Sequence, residues 1–116
     1  MSAMEGDCGA LFVYGSLLDE ARRVELLGRK VAAMPARLTG YECRRGRYFY
    51  IVERGAAETT GLVLSGLGER DFAVLDHYEE VPRLYTRVKV EVTSADGAAL
   101  QCWVYLPTPS LLATGT

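Results

Sequence analysis

The stretch Leu11-Phe12-Val13-Tyr14-Gly15-Ser16-Leu17-Leu18 sets four strand-forming residues directly against Gly-Ser and then resumes with two leucines before any charge. A strand that ends in Gly-Ser and leads into a helix presents successive backbone N–H groups to solvent. Such a nest binds a carboxylate or phosphate, helped by the positive start of the helix. A glycine in it leaves room for the anion to approach. The same pattern also describes an ordinary strand-to-helix turn. Ser16 as a nucleophile lacks the G-x-S-x-G setting, and the chain has a single histidine to activate it.

Outward from this stretch, the bulk properties describe one soluble domain. The chain has 116 residues, 49% of them hydrophobic and 24% charged, with a formal charge of −2. A folded globular protein is expected. The acidic balance argues against a nucleic-acid partner, which needs a basic field. No apolar run approaches the ~20 residues of a membrane helix, so no membrane partner is expected. The opening MSAMEGDCGALF carries Glu5 and Asp7 and lacks the basic start of a secretory signal. Cys8, Cys43 and Cys102 are odd in number and lack C-x-x-C spacing, which implies reduced thiols and a cytoplasmic setting. Cys43 and Cys102 fall in strand-like runs and read as core filler. Oligomeric state leaves no signal in the sequence.

The expected organisation is a flexible tail over residues 1–9, one domain over 10–106, and a C-terminal tail over 107–116 that frays. The first strand runs from Ala10 to Tyr14. A short helix covers Asp19 to Leu27, with Asp19 as N-cap and Gly28 as its stop. Val31 to Leu38 is extended, Gly40 turns the chain, and strands follow over Glu42–Arg44, Tyr48–Val52 and Gly61–Ser65. From Glu69 to Tyr78 the apolar residues Phe72, Leu75 and Tyr78 recur at helical spacing, and Pro82 ends that helix. The last unit is a hairpin. A two-residue Asp96-Gly97 turn would oppose apolar to polar side chains. A three-residue loop, Ala95-Asp96-Gly97, instead pairs Val92 with Leu100, Val90 with Cys102 and Val88 with Val104, with Gly97 left-handed. The opposite face then gathers Tyr85, Arg87, Lys89, Trp103 and Tyr105, either as a cleft wall or as an ordinary solvated surface. Six or so strands in runs with two helices give an α+β fold, a small mixed β-barrel or strongly bent sheet with flanking short helices.

Two further segments carry candidate chemistry. In LDHYEEVPRLYTR, Leu75 to Arg87, three carboxylates (Asp76, Glu79 and Glu80) crowd the end of a helix, against its dipole. An acid so placed acquires a raised pKa, as a general base working near neutrality requires. Solvated acids on a frayed helix end are the plainer alternative. His77 has no second histidine and no H-E-x-x-H spacing around it, so no metal site is expected. In CRRGRYFYIV, Cys43 to Val52, Arg44, Arg45 and Arg47 precede strand aromatics, a pattern seen on RNA-stacking sheets, although the order is wrong for the RNA-recognition signature.

Taken together, Tyr14-Gly15-Ser16-Leu17, the strand GLVL, Leu75-Asp76-His77-Tyr78-Glu79, Tyr85-Thr86-Arg87 with VKVEV, and the closing QCWVY resemble the γ-glutamylcyclotransferase-like family over about residues 10 to 106. The resemblance implies a small β-barrel and a reaction that cyclises a γ-glutamyl amine or amino acid to 5-oxoproline, releasing the amine. It assigns Glu79, not Glu80, as general acid/base. Tyr14, Gly15, Ser16 and Leu17 hold the substrate's α-carboxylate, and Tyr85 and Tyr105 line the site. No cofactor, metal or acyl-enzyme is implied. The chain departs from the family pattern in having Glu80 where many relatives have glycine, placing a second carboxylate beside the base. It also has Phe49-Tyr50 where relatives often have Tyr-Pro. A non-catalytic binder of small carboxylates or peptides on the same barrel is the alternative, and an RNA-binding module a more distant one.

Overall fold

The computed structural model describes residues 9–114. Five strands close into a barrel in the spatial order β1-β3-β2-β4-β5. These are β1 (Leu11–Val13), β2 (Ala33–Arg45), β3 (Phe49–Leu64), β4 (Tyr85–Ser94) and β5 (Ala99–Pro107). Three helices flank them: α1 (Glu20–Leu27), α2 (Glu69–Tyr78) and α3 (Pro109–Thr114). A 3-10 turn over Ser16–Leu18 links β1 to α1. The expected α+β barrel is therefore present.

β1 is the hub. It pairs antiparallel with β3 (Phe12 opposite Val63) and parallel with β5 (Phe12 opposite Val104), and this second pairing closes the barrel. All three of its residues are buried, because both of its faces are covered. Phe12 enters the barrel interior with Leu38, Ile51, Val63, Val92, Cys102 and Val104. Leu11 and Val13 point the other way, into a second core built with Phe72 and Leu75 of α2. A strand buried on both faces reads as an unbroken apolar run instead of an alternating one.

The middle of the chain differs from expectation. Gly40 does not turn the chain. It adopts a left-handed φ of 93° inside β2, at a register shift between Thr39 and Tyr41. The extended stretches on either side of it merge into one 13-residue strand, and those around Gly55 merge into a 16-residue β3. A glycine bulge lets a strand bend without ending. Cys43 is exposed and only Cys102 is buried, so just one of the two cysteines fills core.

Both predicted helices stand. Asp19 accepts a hydrogen bond from the Ala21 amide at the start of α1, and Gly28 ends it in the left-handed conformation. The period-three stripe forms α2 over Glu69–Tyr78. The terminal hairpin has the expected register, Val92 opposite Leu100, Val90 opposite Cys102 and Val88 opposite Val104, with Gly97 at φ 92°. The frayed C-terminus does not hold: Pro109–Thr114 forms α3, and Leu111 is completely buried in the outer core. The expectation for residues 1–9 falls outside the described residues, apart from Gly9, whose carbonyl accepts from the Leu67 amide.

One glycine is fixed by packing at the hub. A Cβ at Gly61 on β3 would lie 2.2 Å from the Val13 carbonyl oxygen and 2.8 Å from the Phe12 ring. The nearest obstacle is backbone and cannot swing aside, so Gly61→Ala must push β1 off β3. We expect it to lower unfolding stability by about 3 kcal/mol, as read by urea denaturation.

Candidate active site

The end of β1, the β2–β3 hairpin and the end of α2 converge on a cavity of about 370 Å³. Every residue the sequence nominated lines it: Tyr14, Gly15, Ser16, Leu17, Glu79, Tyr85 and Tyr105. Tyr48, Phe49 and Tyr78 also line it and were not nominated.

The turn after β1 supplies the floor. The amides of Gly15, Ser16 and Leu17 open a 3-10 turn, where N–H groups have no intrahelical acceptor, and no carbonyl among the described residues accepts them. The turn is held from behind. Arg23 on α1 is only 6% exposed, and its guanidinium donates to the carbonyls of Leu17 and Leu18, each at 2.9 Å. The residues that carry those unpaired amides line the cavity. The lack of a side chain at Gly15 has a nearer cause than anion access, since a Cβ there would sit 2.9 Å from Cβ of Phe49. The Ser16 hydroxyl lies 2.7 Å from the Tyr78 hydroxyl, which also accepts from Arg22 at 2.7 Å.

The tyrosines form a scaffold around the carboxyl of Glu79. The Tyr14 hydroxyl donates to the Tyr105 carbonyl at 2.6 Å. That of Tyr85 donates to the Phe49 carbonyl, and that of Tyr105 to Asp76 at 2.7 Å. Burial raises the pKa of all three phenols, and the charge of Glu79 adds to the rise in each. The three rings thus stay protonated around the carboxyl and hold their own positions through backbone and Asp76 acceptors. Of the polar-aromatic face of the terminal hairpin, only Tyr85 and Tyr105 line the cavity. The Arg87 guanidinium instead lies 4.5 Å from the ring centre of Phe72 and 4.6 Å from that of Trp103. There it donates to both carboxylate oxygens of Asp76, at 3.0 and 3.1 Å.

The three clustered carboxylates have separate fates. Asp76 is bound by Arg87 and Tyr105. Glu79 turns into the cavity, and burial raises its pKa from 4.5 to about 7. The cause is desolvation, not the crowding of acids against the helix dipole that the sequence suggested. Glu80 also borders the cavity, but its exposed carboxylate pairs with Arg83. The backbone explains the divergence. The Val81 amide donates to the Asp76 carbonyl at 3.0 Å and the Glu80 amide to the His77 carbonyl at 3.1 Å, the paired bonds of a Schellman motif. Glu79 is its C-cap, and Glu80 follows at a left-handed φ of 57°, the position where glycine is favoured.

The matched family model, "Gamma-glutamyl cyclotransferase, AIG2-like", covers residues 11–115, and the chain belongs to this family. An Arabidopsis thaliana relative, AIG2-like protein C, is 37% identical over 89 residues, 74% of this chain and 51% of that protein. A Methanocaldococcus jannaschii protein, named in the first place as a gamma-glutamylcyclotransferase, is 26% identical over 99 residues, 83% of this chain and 45% of its own. The chain thus spans about half the length of the curated relatives it matches. Among solved structures, one from Arabidopsis thaliana superposes with a TM-score of 0.81 at 29% identity, over 90% of this chain and 71% of that one. A structure titled gamma-glutamyl cyclotransferase superposes at 0.79 with 23% identity, over 86% and 66%, which shows the shared fold.

Two substitutions test this construction. Arg23→Met leaves the carbonyls of Leu17 and Leu18 without their donor and should cost about 2 kcal/mol in thermal or urea unfolding. Glu80→Gly relieves the left-handed strain for the loss of one exposed ion pair, and should raise stability by about 0.5–1 kcal/mol in the same measurement.

Proposed function

We propose that this protein is a cofactor-independent γ-glutamyl cyclotransferase, converting a γ-glutamyl amine or amino acid to 5-oxoproline and the free amine, with Glu79 as general acid/base. The observation that carries this reading is that a half-buried carboxyl with its pKa raised to about 7 shares one cavity with the free amides of Gly15, Ser16 and Leu17.

The substrate's α-carboxylate binds those amides, which places its α-ammonium beside Glu79. Ionised Glu79 removes a proton from that ammonium. The freed amine attacks the γ-carbonyl carbon, closing a five-membered ring, and the bond from that carbon to the departing nitrogen breaks. Glu79, now a carboxylic acid, gives its proton to the departing nitrogen and is restored. The ring nitrogen sheds its remaining extra proton to water, and the released amine takes one up from water. Nucleophile and electrophile belong to one molecule, so the cavity's task is to hold the folded conformer and exclude water that would hydrolyse it. Tyr14, Tyr85 and Tyr105 serve by position, since their hydroxyls are already engaged.

Glu79→Gln should retain substrate binding by calorimetry and lose 5-oxoproline formation by about 10³-fold, while Glu80→Gln keeps most of it. Binding without turnover in the unmodified protein, across a panel of γ-glutamyl compounds, would replace the reading with that of a carboxylate-binding module. The base must be ionised, so kcat/KM should rise with pH through about 7. Stability should move the other way. The folded state holds the Glu79 proton that the unfolded chain has released, so unfolding free energy falls as pH rises from 4.5 to about 7 and then levels off. Glu79→Gln should flatten that decline.

A further inference from the structure

The β2–β3 hairpin folds back at the cavity mouth, where the Gly46 amide donates to the Tyr48 carbonyl at 3.0 Å. Its tip carries three arginines in four positions, and the structure separates them. Arg44 donates to Glu42 and does not line the cavity. Arg45 and Arg47 do line it, both are exposed, and neither has a carboxylate partner among the described residues. Arg45 lies 5.1 Å from the ring centre of Phe49, and the Cβ of Phe49 packs against Gly15. The Phe49 ring therefore lies between the turn at Gly15 and the Arg45 guanidinium, and neither Arg45 nor Arg47 pairs with a carboxylate among the described residues. The acids nearby are spoken for: Glu79 is half-buried in the cavity, and Glu80 is bound to Arg83.

We propose that Arg45 and Arg47 form a subsite for a carboxylate on the leaving group, so that this protein acts on γ-glutamyl amino acids and peptides in preference to γ-glutamyl derivatives of simple or cationic amines. The inference rests on the cyclotransferase reading. That reading sets the direction of the substrate, with its α-amine at Glu79 and its departing nitrogen toward the mouth. An amino acid or peptide released there carries its own carboxylate into reach of the rim. The guanidinium fork matches that group with two parallel N–H donors, whereas an alkylamine offers it nothing and a polyamine is repelled. The Phe49 ring under Arg45 preorients one of the two forks by stacking. The shared head of all γ-glutamyl substrates carries a carboxylate too, and the test separates the two.

The experiment compares γ-glutamyl-alanine with γ-glutamyl-ethylamide, which differ only by the leaving-group carboxylate, in the unmodified chain and in an Arg45→Gln/Arg47→Gln double variant. The expected result is a kcat/KM about tenfold or more higher for the alanine compound in the unmodified chain, and a ratio within about twofold of one in the variant. A ratio near one in the unmodified chain overturns the proposal. So does a ratio that survives in the variant, or a fall of equal size on both substrates, which would assign the arginines to the head group or to the fold. If neither compound yields 5-oxoproline, the cyclotransferase reading fails on its own, and calorimetric affinities for the same pair decide the subsite. Tighter binding of the alanine compound that is lost in the variant supports it, and equal binding overturns it.

Discussion

The carboxylate of Asp76 is the point at which helix and barrel are tied together. It accepts two hydrogen bonds from Arg87 on β4 and one from Tyr105 on β5, so the last turn of α2 cannot drift from the terminal hairpin. Arg87 is in turn held between the rings of Phe72 and Trp103, which shields the pair from water and strengthens it. Three residues later the chain reaches Glu79, whose inward direction follows from this anchoring and from the Schellman bonds around it. Removing one partner of such a partly buried pair costs more than the pair is worth, because the survivor is left desolvated.

The site works by dividing labour among chemically similar groups. Asp76, bound by Arg87 and Tyr105, fixes position. Glu79, half-buried in the cavity and without ion-pair partners among the described residues, has its pKa raised to about 7 by desolvation. Glu80, exposed at the cavity's edge, is bound to Arg83. The tyrosines divide in the same way, with Tyr14, Tyr85 and Tyr105 committed to acceptors within the protein, and Tyr78 joined to Ser16 and Arg22 at the cavity's edge. The main-chain donors of the turn are left without carbonyl partners among the described residues.

Much of this was legible in the sequence, for definite reasons. The hairpin register followed from alternation, since only one loop length kept Val92, Val90 and Val88 opposite apolar partners. α2 followed from its spacing. Gly40 misled because a left-handed glycine within a bulged strand and one in a reversal look alike without the partner strand. The C-terminal helix was missed because its single buried residue, Leu111, has no local period and is explained only by the outer core it plugs. A raised pKa at this cluster was expected, but from a different force than the desolvation that raises Glu79. Dipole and neighbouring charge can be read along a chain, while desolvation depends on β1, β3 and β5, which lie far from it in sequence. Arg23 as the rear support of the turn left no distinguishable signal among the charges of α1.

The parallel seam between β1 and β5 joins the start of the chain to its far end, Leu11 to Trp103. A contact of such long sequence separation carries a large loop-closure entropy cost. Tyr105, which steadies both Tyr14 and Asp76, sits on that closing strand. The cavity is therefore completed only once that strand is in place: without β5, Tyr14 loses its carbonyl acceptor and Asp76 loses its phenol donor.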